Sequence, residues 1–351
     1  MNIRSQRKRS LQGDTITLSH GSGGKAMRDL IDDVFVAGFD SAELNTLEDQ
    51  ARFDIAALAA QGDRLAMTTD SYVVDPLFFP GGDIGKLSVT GTINDLAVGG
   101  AIPLYLSCGM IIEEGFRVDD LRRIVQSMKQ TADAAGVRIV TGDTKVVHKG
   151  AADKLFINTA GIGVIPAGIE IGAHRAQAGD VVICNGYIGD HGAAIVDARG
   201  ELAIENTIQT DCATLSGLIQ AMLTVCPDIH CMRDATRGGI ATVLNEFAQS
   251  SGCAIHIQET RIPIRNEVGG MCEILGLDPL YLANEGKVIA LVPAAQAENV
   301  LAVMRAHPTG KDSVIIGEVI AEPAGRVILS TGFGGDHIVD MLVGEQLPRI
   351  C

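Results

Sequence analysis

The chain has 351 residues, 46% of them hydrophobic and 20% charged, with 41 glycines, 11 prolines and no tryptophan. That composition excludes a disordered or fibrous chain and suits a globular α/β protein of two domains with many tight turns. A formal charge of −15 excludes a generic nucleic-acid or anionic-membrane surface, because such partners require a positive field.

Residues 1–14, with the basic run Arg4, Arg7, Lys8 and Arg9, read as a flexible extension. No signal peptide opens the sequence and no run of about 18 apolar residues crosses a bilayer, so a cytoplasmic protein without membrane partners is expected. The eight cysteines, at 108, 184, 212, 226, 231, 253, 272 and 351, form no CxxC pair and no zinc or iron–sulfur spacing. Most are expected to be small buried thiols in a reducing compartment.

In chain order, residues 65–69 and 72–79 read as extended structure that brings Thr69, Asp70 and Ser71 to the end of an apolar element before the turn at 80–85. A helix is predicted over 120–135, capped by Asp119, with Leu121, Ile124, Val125, Met128, Ala132 and Ala135 on one face. A strand at 137–142 follows, and Gly142, Asp143 and Lys145 emerge at its end. After an apolar stretch at 155–166, the domain change is expected within 166–180. That division gives an N-terminal domain at 15–166, a C-terminal domain at 167–342 and a mobile tail at 343–351. The C-terminal half is predicted to hold a strand at 181–185, helices at 211–224 and 238–249, a strand at 288–292, a helix near 294–306, and strands around 314–320 and 326–331. Strand pairs separated by helices make split β-α-β units in each half.

Asp70, Asp83, Asp95, Asp143, Asp190 and Asp234 each stand near glycine or another turn former, and carboxylates are the oxygen ligands that magnesium shares with phosphates. Each reads equally as a helix cap or turn. The segments 20-HGSGGKA-26 and 233-RDATRGG-239 combine flexible backbone with Lys25, Arg233 and Arg237, which suits either a phosphate contact or an ordinary helix start. In 142-GDTK-145 and 283-ANEGK-287, Lys145 would balance a developing negative oxygen and Glu285 would accept protons, or both would form surface ion pairs. His20, His191 and His337 also stand near glycines, with no HExxH pattern. The sequence ends 344-GEQLPRIC-351, a cysteine behind Pro348 and Gly344 that is able to enter a cleft and leave it.

These segments, with 68-TTDSYVVDPLFFPGGDIG-85, 90-TGTINDLAVGGAIP-103, 157-INTAGIG-163 and 278-DPLYLANEGK-287, resemble the HypE family of carbamoyl dehydratases over residues 15 to 351. The looser motifs are shared with aminoimidazole ribotide synthetase and selenide water dikinase; the terminal PRIC is specific. The resemblance implies a two-domain aminoimidazole ribotide synthetase-like (PurM-like) α/β (α+β) fold, with N-terminal sheets pairing into a barrel across a homodimer. It implies Mg-ATP contacts at Asp70, Asp83, Asn94, Asp95, Asp143 and Asp234, with magnesium on Asp70, Asp95, Asp143 and Asp234. Gly23, Gly24 and Lys25 are implied near phosphate, Lys145 and Glu285 beside the reacting group, and Cys351 as its carrier. The implied reaction converts S-carbamoyl to S-cyano on Cys351 for the iron of [NiFe]-hydrogenase, with the carbamoyltransferase HypF loading the thiol and a HypC–HypD scaffold complex receiving the product. Two features depart from the family pattern, the basic N-terminal extension and 334-GGDHIVD-340, where a more basic pair is expected. The rival readings are an ATP-dependent synthetase of a small metabolite and a nucleotide-binding scaffold without turnover.

Overall fold

Four long strands between residues 64 and 165 make one open sheet in the order β1-β6-β4-β5. They are β1 (Arg64–Tyr72), β4 (Ile102–Glu113), β5 (Arg138–Val147) and β6 (Leu155–Ile165), while β2 (Phe78–Phe79) and β3 (Gly82–Asp83) form a separate small ribbon. The structure is a computed structural model and describes residues 11, 13–200, 207–344 and 347–351. The basic run at 4–9, and two residues of the tail, 345 and 346, lie outside the described residues.

One face of the sheet is covered by α4 (Ile84–Val98) and α5 (Val118–Ala134). Helix α5 shows the predicted amphipathic stripe, with Leu121, Ile124, Val125 and Met128 buried. Arg117, not Asp119, precedes it; Asp119 stands in the first turn, where a negative charge favours the positive end of the helix dipole. Helix α4 has no stripe because it is buried almost all round, from Ile84 through Val98. Its N-terminal part packs in the first core with Tyr72 and Ile124, and Ala97 and Val98 reach the second domain's core beside Ile183 and Leu218. It is the shared element between the two halves. Shorter helices α1 (Lys25–Leu30), α2 (Ala37–Phe39) and α3 (Ile55–Ala59) precede the sheet.

The second sheet has seven strands in the order β13-β12-β9-β11-β7-β10-β8. These are β7 (Val181–Cys184), β8 (Cys231–Asp234), β9 (Ala254–Gln258), β10 (Val288–Val292), β11 (Val314–Ile320), β12 (Val327–Ser330) and β13 (Asp336–Ile338). Helices α6 (Asp190–Ala198), α7 (Ser216–Val225), α8 (Gly239–Ser251), α9 (Asn266–Leu275) and α10 (Ala297–Ala306) complete this half. Strand β10 is flanked by β7 and β8 and buried at every residue, which is why it reads as a continuous apolar run rather than an alternation.

The two-domain α/β organisation stands, but the expected barrel does not. Neither sheet is closed: the N-terminal sheet has two free edges, β1 and β5, and the C-terminal sheet ends at β13 and β8. Closure with a filled interior takes about eight strands, twice what the N-terminal sheet has. Among the described residues no helix is long and apolar enough to cross a membrane.

Candidate active site

The cleft between the two halves is closed on one side by the chain's own last residues. Beyond β1, the N–H groups of Val73 and Asp75 donate to the carbonyls of Cys351 and Arg349, each at 3.2 Å. The two donations run antiparallel, so the tail lies alongside the segment expected to continue as a strand through residue 79, but among the described residues no backbone bond returns from the tail and neither 73–75 nor 349–351 forms a strand. The carbonyls of the tail are also held from the C-terminal half. His191 Nε2 donates to Ile350 O at 2.8 Å, and the Arg199 guanidinium donates to Arg349 O and to Asp75 O, each at 3.0 Å, and to Pro348 O. Arg349 forms ion pairs with Asp153 and Asp75, and its φ of +56° turns the chain so that Ile350 enters the N-terminal core.

Cys351 thereby lines a cavity with Arg237, Leu282 and Ala283, and the Glu285 charge acts on its thiol. Burial first, then the Glu285 charge, pushes its thiol up to about 12, opposed by the Arg237 charge. The docked thiol is therefore protonated at neutral pH and a poor nucleophile. Glu285 is 2% exposed, and its Oε1 has no hydrogen-bond partner. Burial, then the charges of Asp211, Asp234 and Asp70, raise its carboxyl well above the ordinary value.

The loop that carries Glu285 is fixed by Asp211 on one side and by α4 on the other. Its N–H and that of Gly286 donate to Asp211 at 3.0 and 3.1 Å, and Asp211 also binds Lys287 at 3.0 Å. Gly286 allows this approach, since a Cβ there would stand 2.1 Å from Asp211 O. From α4, Asn94 donates to Glu285 O at 3.3 Å and Ala213 O at 3.1 Å, and accepts from Leu215 N at 2.7 Å. Asn94 is thus fully occupied in joining the two halves.

Asp70, Asp95 and Asp234 converge near this point from β1, α4 and β8. Asp234 is pushed up to about 7 by burial and then by Asp95, and Asp95 is raised by burial with a smaller contribution from Asp70. Asp95 and Asp234 line a groove of about 560 Å³ whose other walls include Met67, Val98, Ile171 and Phe247, apolar side chains suited to a flat ring. Mutually repelling, partly desolvated carboxylates favour a cation. Among the described residues, however, no group of three His, Cys, Asp or Glu side chains is arranged to hold a metal by itself. A magnesium ion that completes its shell with phosphate oxygens and water fits this donor set; an all-protein metal site does not.

The remaining predicted residues lie elsewhere. Asp83 caps α4, accepting from Gly85 N at 2.7 Å and Lys86 N at 3.2 Å. Lys145 pairs with Asp143 at 2.6 Å on β5, and in register Asp143 faces Gly109, Gly109 faces Asn158 and Asn158 faces Ser71. Three strand spacings, about 14 Å, therefore separate that pair from β1. Gly23 and Gly24 are exposed, and Lys25 forms an ion pair with Asp29 close to the same β5 edge, where Gly21 packs on Val146. Asp190 pairs with Arg265 at 3.0 Å. His20 bonds within its own turn through Thr17, and His337 lies exposed on β13. One chain thus gathers Asp70, Asp95, Asp234, Glu285 and Cys351 at one edge of the sheet and Gly23, Gly24, Lys25, Asp143 and Lys145 at the other. The tail clamps, His191 through Ile350 and Arg199, are contacts between residues about 150 positions apart, and no local pattern marks them.

The AIR synthase related protein N-terminal domain family matches residues 48–165, and its C-terminal counterpart matches residues 177–330. The chain is 58% identical to the carbamoyl dehydratase HypE of Rhodobacter capsulatus over 97% of its length and all of that protein. The chain belongs to the HypE family of carbamoyl dehydratases. A crystal structure of hydrogenase maturation protein HypE in complex with ATP superposes with a TM-score of 0.91 at 48% identity, covering 96% of this chain and 100% of that one. HypE in a crystallised HypE–HypF complex superposes with a TM-score of 0.77 at 47% identity, covering 89% and 99%.

Proposed function

We propose that this member of the HypE family uses ATP to dehydrate an S-carbamoyl group on Cys351 to an S-cyano group, the source of cyanide ligands for the iron of [NiFe]-hydrogenase. The observation that carries this reading is the seating of Cys351 beside the unpartnered, buried Glu285, within a cleft that also receives Asp70, Asp95 and Asp234.

Oxygen is a poor leaving group from a carbamoyl carbon. Transfer of the γ-phosphoryl group of ATP to the carbamoyl oxygen makes it phosphate; cleavage of the C–O bond and loss of both N–H protons then leave S–C≡N, ADP and phosphate. Glu285 accepts a proton, and the carboxylates around it raise its basicity. Asp70, Asp95 and Asp234 would hold magnesium through the nucleotide's phosphates, and the bound ion would neutralise charge on the transferring group. Asn94 acts by holding the Glu285 backbone. Asp83 acts by fixing the start of α4.

Lys145, Asp143, Lys25, Gly23 and Gly24 belong to this site through a second copy of the chain. Their separation from Cys351 within one chain supports a homodimer in which the β5 edge of one subunit faces the tail-bearing edge of the other. Lys145 then steadies the oxygen, Asp143 joins the magnesium shell, and the Gly23–Lys25 segment reaches phosphate.

The protonated state of the docked thiol supports loading with the tail outside, on a carbamoyltransferase of the HypF type, and the product leaves by the same route to the HypC–HypD scaffold. The working divisions are an N-terminal nucleotide-binding domain at 15–166, a C-terminal domain at 167–342 and the carrier tail at 343–351. Single-turnover ADP release tests the reading. One ADP per carbamoylated chain is expected, with none from Cys351→Ala; equal ADP release from both would overturn it.

A further inference from the structure

Among the described residues, Arg237 is the one side chain that lines both the groove holding Asp95 and Asp234 and the cavity of about 390 Å³ beneath the docked tail, where it joins Val73, Tyr281, Leu282 and Cys351. Its guanidinium lines the same cavity as Cys351 and lies 3.5 Å from Asp70 Oδ1. The backbone presents it there through two successive glycines with positive φ, Gly238 at +71° and Gly239 at +59°. A Cβ on Gly239 would stand 2.4 Å from Leu280 O. The side chain remains largely exposed to the cleft, so Asp70 leaves much of its donor fork directed at solvent.

We infer that Arg237 is a catalytic residue of the dehydration, donating from one planar fork to the carbamoyl oxygen and to the phosphoryl group as that oxygen attacks it. The inference rests on the reading of Cys351 as the carrier and adds a residue to it. The carbamoyl oxygen is two bonds from Sγ, so a guanidinium that lines the same cavity as Cys351 is within reach of it without moving the backbone. The phosphoryl donor must approach from the carboxylate-lined groove, and Arg237 stands on the boundary between the two spaces. Guanidinium is permanently charged and matches two oxygens at once; an ammonium offers a point charge without that geometry. The transfer forms the carbamoyl O–P bond and breaks the bond from phosphorus to the bridging oxygen of ADP. Phosphate then departs with the carbamoyl oxygen; one N–H proton passes to Glu285 and the other to the departing phosphate. Arg237 gives up no proton in this sequence.

The alternative is that Arg237 only holds the tail in place. Three measurements on full-length protein carbamoylated at Cys351 separate these roles: single-turnover conversion to the cyano form by mass, ATP affinity, and protection of the uncarbamoylated thiol against alkylation. Arg237→Ala is expected to slow conversion about 100-fold, with ATP affinity and thiol protection within threefold of the parent and partial rescue by added guanidinium. Arg237→Lys is expected to recover less than a tenth of the parent rate. Conversion by Arg237→Ala within threefold of the parent would overturn the inference, as would a rate loss matched by an equal loss of thiol protection. If the parent protein itself fails to convert the adduct, the carrier reading fails instead.

Discussion

His191 Nε2 lies 2.8 Å from the carbonyl oxygen of Ile350, and its Nδ1 lies 2.8 Å from Thr210 Oγ1. A carbonyl can only accept, so the ring carries its proton on Nε2. Burial holds its pKa below the ordinary histidine value, so the clamp works with a neutral ring. Arg199 binds the preceding carbonyls. Both side chains grip the backbone of the tail, which leaves the side chains of 348–351 free to be read elsewhere.

Removing the Arg199 clamp releases the tail. Arg199→Ala is expected to raise the rate of Cys351 alkylation at pH 8 by tenfold or more while leaving thermal stability within about 1 kcal/mol, since the lost bonds are partly exposed. The check is alkylation followed by peptide mass. Unchanged protection would show that the docked state does not depend on these bonds.

The pH profile of the same alkylation distinguishes docked from free thiol. Docked Cys351 titrates near 12 against an ordinary value of 9.0, so at pH 8 its thiolate fraction is about a thousandfold lower. Alkylation of the tail-released variant is expected to level off near pH 9. That of the parent, limited by the docked thiol, continues to rise above it.

Glu285 makes stability depend on pH with a definite sign. Its folded pKa lies well above 4.5, so the stability due to its neutral form is complete below about 4.5 and is lost as pH rises through the folded value. Glu285→Gln stays neutral, and is expected to melt higher than the parent at pH 8, with the difference vanishing towards pH 4. Its dehydration rate is expected to fall at least 100-fold. Thermal melts across pH, beside single-turnover rates, check both halves.

Asn94→Ala removes three hydrogen bonds that join α4 to the C-terminal half. The expected cost is about 2–4 kcal/mol, because Leu215 N–H and two carbonyls lose buried partners. Denaturant titration measures it, and a cost under 1 kcal/mol would show that the interface relaxes around the change.

The elements legible in the sequence are those with a pattern: α5 by its stripe, β10 by its unbroken apolar run, β11 and β12 by their β-branched residues. Helix α4 was invisible to periodicity, since a helix buried on all sides has no polar face to alternate with the apolar one. The carboxylates beside glycines were recognisable as a class, but their separate places were not. Asp83 and Asp95 differ only in whether the carboxyl turns back to cap a helix or faces a groove. Glu285 was recognisable by its motif, and its unpartnered oxygen only by its surroundings. The distance from Lys145 to Cys351 depends on strand order, which no local pattern encodes.

The most direct test is the intact and C-terminal peptide mass after carbamoylation by HypF with carbamoyl phosphate and ATP, followed by ATP and magnesium alone. The expected result is a carbamoyl adduct on Cys351 that then loses the mass of one water. An adduct that persists through the second incubation, or one found on a residue other than Cys351, would contradict the carrier and dehydratase roles assigned to this site.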